Sequence, residues 1–121
     1  MTEPTAFDDA AASAKLAQEL PHWRVDSSHL CRSYKTDGWR ASMLLANGIA
    51  HLAEVAWHHP ELRVSWGGVE VRLRTHSDDA ITTKDFELAT MVEQWVCWRP
   101  AAGASLDGAP TSGQWRYLHH E

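Results

Sequence analysis

Hydrophobic positions recur along the chain with a helical period in two long segments. The Ala- and Leu-rich run from Phe7 to Leu20 predicts a helix that Pro21 should end. A longer helix is predicted to use Asp37 as its N-cap and to end near Trp57. Its buried stripe, at steps of four, three and four residues, is predicted to comprise Leu45, Ile49, Leu52 and Ala56.

Alternation of apolar and polar residues predicts two hairpins elsewhere. The first joins short strands at 23–25 and 30–34 across a turn of Asp and Ser residues. The second runs from Leu62 to Leu73 around the Gly67-Gly68 turn. In its second strand, Val69, Val71 and Leu73 alternate with polar residues, so Arg72 is expected on the exposed face.

A third helix is indicated by its start signal. Thr82 and Asp85 resemble a capping box with Asp in place of Glu, and Pro100 bounds the helix that follows. The order helix, two strands, helix, two strands, helix implies an α+β fold, a four-stranded antiparallel sheet with three helices packed on one face. We assign residues 1–100 to this domain and residues 101–121 to a linker and C-terminal tail.

Length and composition restrict the class of protein. A chain of 121 residues is one domain's worth, and its 44% hydrophobic content is ordinary for a globular protein. The net charge of -5 and the scattered basic residues argue against direct binding to nucleic acid. Two Cys without metal-type spacing and no apolar leader or spanning segment predict a cytoplasmic protein with no membrane contact.

Candidate chemistry centres on the end of the long helix. His51, Glu54 and His58 lie at i, i+3 and i+7, so they share one helix face. His59 stands where Pro60 breaks the helix, and its ring should therefore diverge from that of His58. Imidazoles beside a carboxylate suit general acid and base catalysis near neutral pH.

His76 is the third candidate imidazole, at the far end of the second hairpin. A two-stranded excursion returns the chain towards its start, so His76 is expected near His59. Its strand phase is that of Arg72 and Arg74 on the polar face, and a bulge, pocket or strand end is needed there.

Structural explanations compete with these hypotheses. A single His at a helix end is commonly a cap or a surface residue, and most of the seven Trp residues are expected in the core or an interface. A metal site using His51, Glu54 and His58 is a further hypothesis, although no Cys or other ligand spacing accompanies it.

The segment from Glu54 to Asp85 resembles the pterin-4a-carbinolamine dehydratase family. Its pattern is an acidic or polar residue, three spacers, His-His-Pro, an aromatic, a hydrophobic alternating strand and Thr-His, followed by a helix start of Thr or Ser, two residues and Asp. The corresponding residues here are Glu54, His58-His59-Pro60, Trp66, Thr75-His76 and Thr82 with Asp85. The likeness covers about Leu20 to Val96.

The resemblance implies dehydration of 4a-hydroxytetrahydropterin, the 4a-carbinolamine, to quinonoid dihydropterin in tetrahydrobiopterin recycling, with no metal and no other cofactor. His59 and His76 would serve the hydroxyl and proton-transfer side, His58 binding or the complementary proton step, and Glu54 would orient and charge an imidazole. Substrate binding would involve Pro60, Trp66, Thr75 and Asp85. The family and the exposed sheet edge also lead us to expect a homodimer or homotetramer.

The sequence departs from the family pattern at two places. Trp57 stands where many relatives carry an acidic residue before His-His-Pro, and Asp79-Ala80-Ile81 stands where Gly is common after Thr-His. Gly permits backbone angles that Asp and Ala resist, so the loop near His76 should differ in shape. The alternative function is a non-catalytic dehydratase-like protein, an assembly chaperone or binding partner, which would need a surface and not the histidines.

Overall fold

The structure is a computed structural model that describes residues 3–120. Its helices are α1 (Asp9–Glu19), α2 (Trp39–Ala56) and α3 (Thr83–Val96). Its strands are β1 (Ala6–Phe7), β2 (Arg24–Asp26), β3 (His29–Lys35), β4 (Glu61–Ser65), β5 (Gly68–Leu73) and β6 (Ile81–Thr82). The predicted element order is confirmed, and the short strands β1 and β6 add a small second sheet.

The main sheet is antiparallel, with the strand order β2-β3-β5-β4. Cross-strand partners such as Leu30 with Leu73 and Tyr34 with Val69 point to one face, which the helices cover. The core between the two layers is apolar and fully buried at Leu45, Ile49, Val71 and Val92. This is the predicted α+β architecture.

Helix α2 begins differently from the prediction. Asp37 is not its N-cap; Gly38 occupies that position with φ of 123°, and no side chain caps the helix. The Asp37 carboxylate contacts His119 at 2.6 Å and Arg116 at 3.4 Å instead. The Asp37 carboxylate, which the local sequence assigned to the cap of α2, is therefore paired with His119 of the C-terminal tail, more than 80 positions away.

The buried stripe of α2 is also partly corrected. Leu45 and Ile49 are fully buried and Leu52 is half-buried, but Ala56 is exposed and Ala53 is buried in its place. Ala53 lies one turn after Ile49 and continues the buried stripe, whereas Ala56 is the last residue of the helix.

Arg72 is buried, contrary to the expectation of an exposed position. Its guanidinium donates to the Asp26 carboxylate at 3.0 Å and to the thiol sulfur of Cys31 at 3.2 Å. On the face of the sheet away from the helices, Arg72 thus lies over Cys31 and pairs with Asp26. A long arginine side chain can be buried in this way because its methylene groups pack on apolar neighbours while its guanidinium finds polar partners.

Candidate functional site

The end of α2 places two histidines beside each other with different directions. Trp57 follows the helix in the left-handed conformation, with φ of 53°, and the His58 N–H donates to the Ala53 carbonyl at 3.2 Å. Helices commonly end this way, but usually with Gly at the left-handed position. The reversal directs His58 towards α3 and leaves His59 at the surface.

His58 is held by a buried carboxylate. Its Nε2 lies 2.6 Å from Asp85 Oδ1, and the exposed fractions of the two side chains are 14% and 0%. Asp85 is in the first turn of α3, where it completes the predicted capping box with Thr82. One acidic residue therefore both starts a helix and orients an imidazole.

The second oxygen of Asp85 accepts two further hydrogen bonds. Its Oδ2 accepts from the Thr82 backbone N–H at 2.9 Å and from the Thr75 hydroxyl at 2.8 Å. Because the Thr75 hydroxyl proton is directed to Asp85, the Thr82 hydroxyl, 2.7 Å from that of Thr75, donates to Thr75 and accepts from the Lys84 N–H. Oδ1 is left to face the His58 ring, so both oxygens of the buried carboxyl are in contact with polar groups.

The contact with Asp85 involves one nitrogen of the His58 ring. An ionised Asp85 would accept from a proton on Nε2. Nδ1 of His58 has no hydrogen-bond partner among residues 3–120. The arrangement is that of an imidazole oriented by a carboxylate, with its second nitrogen available to a substrate.

His59 uses a different carboxylate. Its Nε2 lies 2.7 Å from Glu54 Oε1, with exposed fractions of 50% and 66%. The Trp57 indole meets the His59 ring edge to face, with ring centroids 5.0 Å apart. His59 is therefore positioned by two groups of the same helix end and remains in contact with solvent.

His76 directly follows Thr75, the residue whose hydroxyl reaches Asp85. Strand β5 ends at Leu73 and His76 opens a short 3-10 turn, so the strand phase no longer governs its direction. Asp79 closes this turn with φ of 51° and is held by Arg74, which donates to its carboxylate at 2.7 Å. An ion pair thus maintains at Asp79 a backbone conformation usual for Gly.

Most of the sequence-predicted site residues belong to two adjoining segments. Glu54, His58, His59 and Pro60 surround the end of α2, while Thr75, His76 and Asp85 follow β5 and open α3. Contacts through Asp85 join the two segments. Thr75 and Asp85 are buried, so they stand behind His58 and do not line an open surface.

Trp66 is not brought to the histidines within one chain. It lies after β4, where its carbonyl accepts from the Ser42 hydroxyl and its ring stands near Gly38 at the start of α2. The histidines follow the other end of this 18-residue helix, a separation along the helix of about 27 Å at about 1.5 Å per residue.

The hypothesis of a metal site gains no support from the geometry. Among residues 3–120, no three His, Cys, Asp or Glu side chains are grouped as metal ligands would be. Glu54 contacts His59, and His58 contacts Asp85, so two of the three proposed ligands have separate partners.

Sequence reasoning missed Asp85 as the carboxylate that contacts His58. The Thr-x-x-Asp pattern correctly predicted the capping box, but it did not indicate that the other oxygen of the Asp85 carboxyl contacts the ring of His58.

The sequence analysis also missed a polar cluster around Glu93, in the interface between the sheet and the helices. Arg32, Tyr34 and Trp23 all donate hydrogen bonds to this carboxylate.

Comparisons with known proteins agree on one family. The family profile described as Pterin 4 alpha carbinolamine dehydratase matches residues 5–95. A protein of Aquifex aeolicus named as a candidate pterin-4-alpha-carbinolamine dehydratase is 35% identical over 79 residues, which are 65% of this chain and 80% of that protein. One of Haloarcula marismortui with the same name is 39% identical over 82 residues, 67% of this chain and 89% of that protein.

A solved structure extends the likeness to the fold. The crystal structure of a transcriptional coactivator/pterin dehydratase from Brucella melitensis superposes with a TM-score of 0.65 and 25% identity, covering 74% of this chain and 96% of that one. The residues matched by the family profile include both segments of the candidate site. The chain therefore belongs to the pterin 4 alpha carbinolamine dehydratase family.

Proposed function

We propose that this protein dehydrates 4a-hydroxytetrahydropterin to quinonoid dihydropterin by general acid and base catalysis with His58, His59, His76 and Glu54. The observation that carries the proposal is the contact of His58 with Asp85, a completely buried carboxylate 2.6 Å away. A helix-end histidine of purely structural origin does not need a buried anion behind it, whereas a proton-transferring imidazole is served by one.

The reaction requires two proton transfers. The bond between C4a and the hydroxyl oxygen breaks, an acid protonates that oxygen, and water leaves. A base removes the proton from N5, and the N5–H electron pair forms the double bond between N5 and C4a. One proton is taken and one is given, so the reaction balances without an oxidant or reductant.

The contacts favour a division of these roles. With Nε2 committed to Asp85, His58 offers an unprotonated Nδ1 as the base for the N5 proton. His59, paired with the exposed Glu54, and His76, on its exposed turn, would serve the hydroxyl side, where a protonated imidazole is needed. Thr75 and Asp85 would position His58, and Pro60 would set the entry to β4 beside His59.

The second candidate function is a non-catalytic role as a binding partner. The Brucella melitensis protein of similar fold is called both a transcriptional coactivator and a pterin dehydratase. In this chain α2 leaves Trp39, Leu44 and Val55 between 47% and 70% exposed, and such residues are frequent in interfaces between proteins. The same surface would serve a homodimer or homotetramer.

Activity separates the two candidates. Enzymatically generated 4a-hydroxytetrahydropterin is incubated with the protein, and its ultraviolet decay is compared with the spontaneous rate. We expect acceleration, reduced at least about tenfold by His59→Ala and by His76→Ala. His51→Ala, an exposed histidine on the same helix, is the matched control and should keep the wild-type rate. Decay at the spontaneous rate with folded wild-type protein would exclude the dehydratase function.

A further inference from the structure

A cavity of about 1000 Å³ lies apart from the candidate site. It is lined by Leu45 of α2, by the end of α3 and by the segment that follows α3, and none of Glu54, His58, His59 or His76 lines it. Most of its wall comes from residues after 95, which the family profile does not match. The volume is at the upper end of the range of small-molecule sites.

Aromatic side chains form one wall of this cavity. Trp95 and Trp98 both line it, with exposed fractions of 44% and 63%. The Trp95 ring lies across Gly48 of α2 so closely that a Cβ at Gly48 would stand 1.9 Å from its Cη2 atom. The indole is thus fixed against the helix, and its open side is an apolar surface for a flat ring to stack on.

Another part of the lining is anchored to the sheet. Leu118 pairs with Thr36, the Asp37 N–H donates to the Tyr117 carbonyl at 3.2 Å, and the His119 N–H donates to the Lys35 carbonyl at 2.9 Å. Tyr117 and Leu118 line the cavity from this anchored segment beside the end of β3. Both parts of the lining are positioned before any ligand arrives.

The charges around the cavity select the ligand. Arg99 lines it and makes no ion pair or hydrogen bond with any of residues 3–120. His120 stands near Arg99, and burial together with this positive charge lowers the pKa of His120, which disfavours a second positive charge there. Asp107 is the acidic residue of the lining. A lining with one cationic and one acidic side chain does not suit a polyanion such as a nucleoside triphosphate.

We infer that this cavity binds a small planar aromatic compound that carries a single carboxylate, with its ring against Trp95 and Trp98 and its carboxylate on Arg99. The guanidinium of an arginine pairs with a carboxylate through two parallel hydrogen bonds, which gives direction as well as affinity. The inference concerns a site separate from the dehydration proposed above and does not depend on it.

The test uses indole-3-propionate and its uncharged analogue, indole-3-propionamide. With ¹⁵N-labelled full-length protein, each Trp gives one indole N–H signal, and single Trp→Phe variants assign them. We expect indole-3-propionate to shift the Trp95 and Trp98 signals saturably. The signal of Trp23, which is buried and donates to Glu93, should not move. The amide should bind at least about tenfold more weakly, because it lacks the charge that Arg99 pairs with.

Two variants locate the effect. Arg99→Gln should reduce the affinity for the acid to that for the amide, whereas Arg63→Gln, an exposed arginine of β4, should leave both unchanged. His59→Ala should also leave binding unchanged, which separates this inference from the proposed catalysis. Equal affinities for acid and amide, or no shift at millimolar concentrations, would overturn it. Shifts of Trp95 and Trp98 on dilution of the protein without probe would also do so, because a second copy of the chain would then fill the cavity.

Discussion

Two carboxylates near the end of α2 serve neighbouring histidines in opposite environments. Asp85 is completely buried and takes part in three hydrogen bonds, whereas Glu54 is 66% exposed and contacts a single imidazole. An exposed ion pair adds little to stability, and a buried carboxylate with all its acceptors used restricts both the position and the tautomer of its partner. The same pairing of residue types therefore has different consequences at the two sites.

Asp85→Asn tests the positioning of His58. The amide can donate to Nε2 where the carboxylate accepts, so the imidazole would turn its proton to Nδ1 and lose the proposed base. We expect the dehydration rate to fall at least about tenfold, mainly in kcat. Urea unfolding should show a loss of about 1 kcal/mol from the weakened cap of α3. An unchanged rate in folded Asp85→Asn protein would remove Asp85 from the proposed mechanism.

Glu93 is expected to control stability in acid. Burial raises its pKa, but the hydrogen bonds from Arg32, Tyr34, Cys97 and Trp23 outweigh burial and lower the pKa to about 2 from its ordinary value of 4.5. A carboxyl with a lowered folded-state pKa stabilises the protein above its unfolded-state pKa and loses this contribution as the pH falls. Between about pH 4.5 and 2 the loss is about 3 kcal/mol, at about 1.4 kcal/mol per pKa unit.

Urea titrations from pH 7 to pH 2 measure this contribution. Glu93→Gln should be less stable than wild type at pH 7, because it removes a carboxylate that pairs with the buried Arg32. The difference between the two proteins should shrink as the pH falls towards 2. A difference that does not depend on pH would contradict the lowered pKa.

At the level of secondary-structure elements, the end of α2 combines backbone strain with a proposed catalytic benefit. Trp57 adopts a left-handed conformation that costs an ordinary residue about 1–2 kcal/mol. Its ring is 75% exposed, so core packing does not explain its presence, yet the indole contacts His59. Backbone strain at such positions is often retained where a neighbouring group must be aimed.

Trp57→Gly should therefore change stability and activity in opposite directions. Glycine relieves the left-handed strain, and we expect the free energy of unfolding to rise by up to about 1 kcal/mol. The rate of dehydration should fall several-fold, because His59 loses the ring that limits its rotation. Trp57→Phe keeps a ring and the strain and should resemble wild type in both. A simultaneous rise in stability and rate would show that the indole does not support His59.

The packing of α2 against α3 depends on a helical glycine. Replacing a helical Gly with Ala usually stabilises a protein by about 1 kcal/mol. At Gly48, however, the added methyl group would collide with the Trp95 ring, and such overpacking costs about 1–3 kcal/mol. We expect Gly48→Ala to be destabilising by urea unfolding. Gly48→Ala combined with Trp95→Ala should recover the stability that the methyl group costs beside the indole.

In the molecule as a whole, the tail extends the sheet. Residues 117–119 pair with the end of β3, in a region that β2 does not reach because it spans only Arg24–Asp26. The hydrogen bond from His119 is the main cause that lowers the pKa of Asp37, so this contact persists below the ordinary pKa of an aspartate and is lost only as the pH falls through the lowered pKa. No helix within residues 3–120 is long and apolar enough to span a bilayer.

Asp37→Ala tests whether this contact anchors the tail. We expect trypsin to cleave after Arg116 several-fold faster than in wild type, because the docked backbone protects that bond and Asp37 contacts Arg116 and His119. Urea unfolding of the domain should change little, since the side chains involved are near the surface. Equal cleavage rates in wild type and Asp37→Ala would show that the backbone pairing alone holds the tail.

Local spacing along the chain was enough to predict the layers and most element boundaries. Apolar positions repeat every two residues in β4 and β5 and every three or four in α2, so the face that each element buries follows from the order of residues. The capping box of α3 was equally local, because Thr82 and Asp85 are three residues apart. The His-His-Pro segment, likewise contiguous, indicated the family.

The partner that each polar side chain takes depends on the folded molecule. Asp37 contacts the tail and does not cap α2, Arg72 lies over Cys31, and Asp85 contacts a histidine 27 positions away. A polar group pairs with whatever charge or donor the fold brings within about 3 Å of it. In a strand, a shift of one residue in register moves a side chain to the other face of the sheet. Such pairings depend on how distant segments pack, which the local order of residues does not encode.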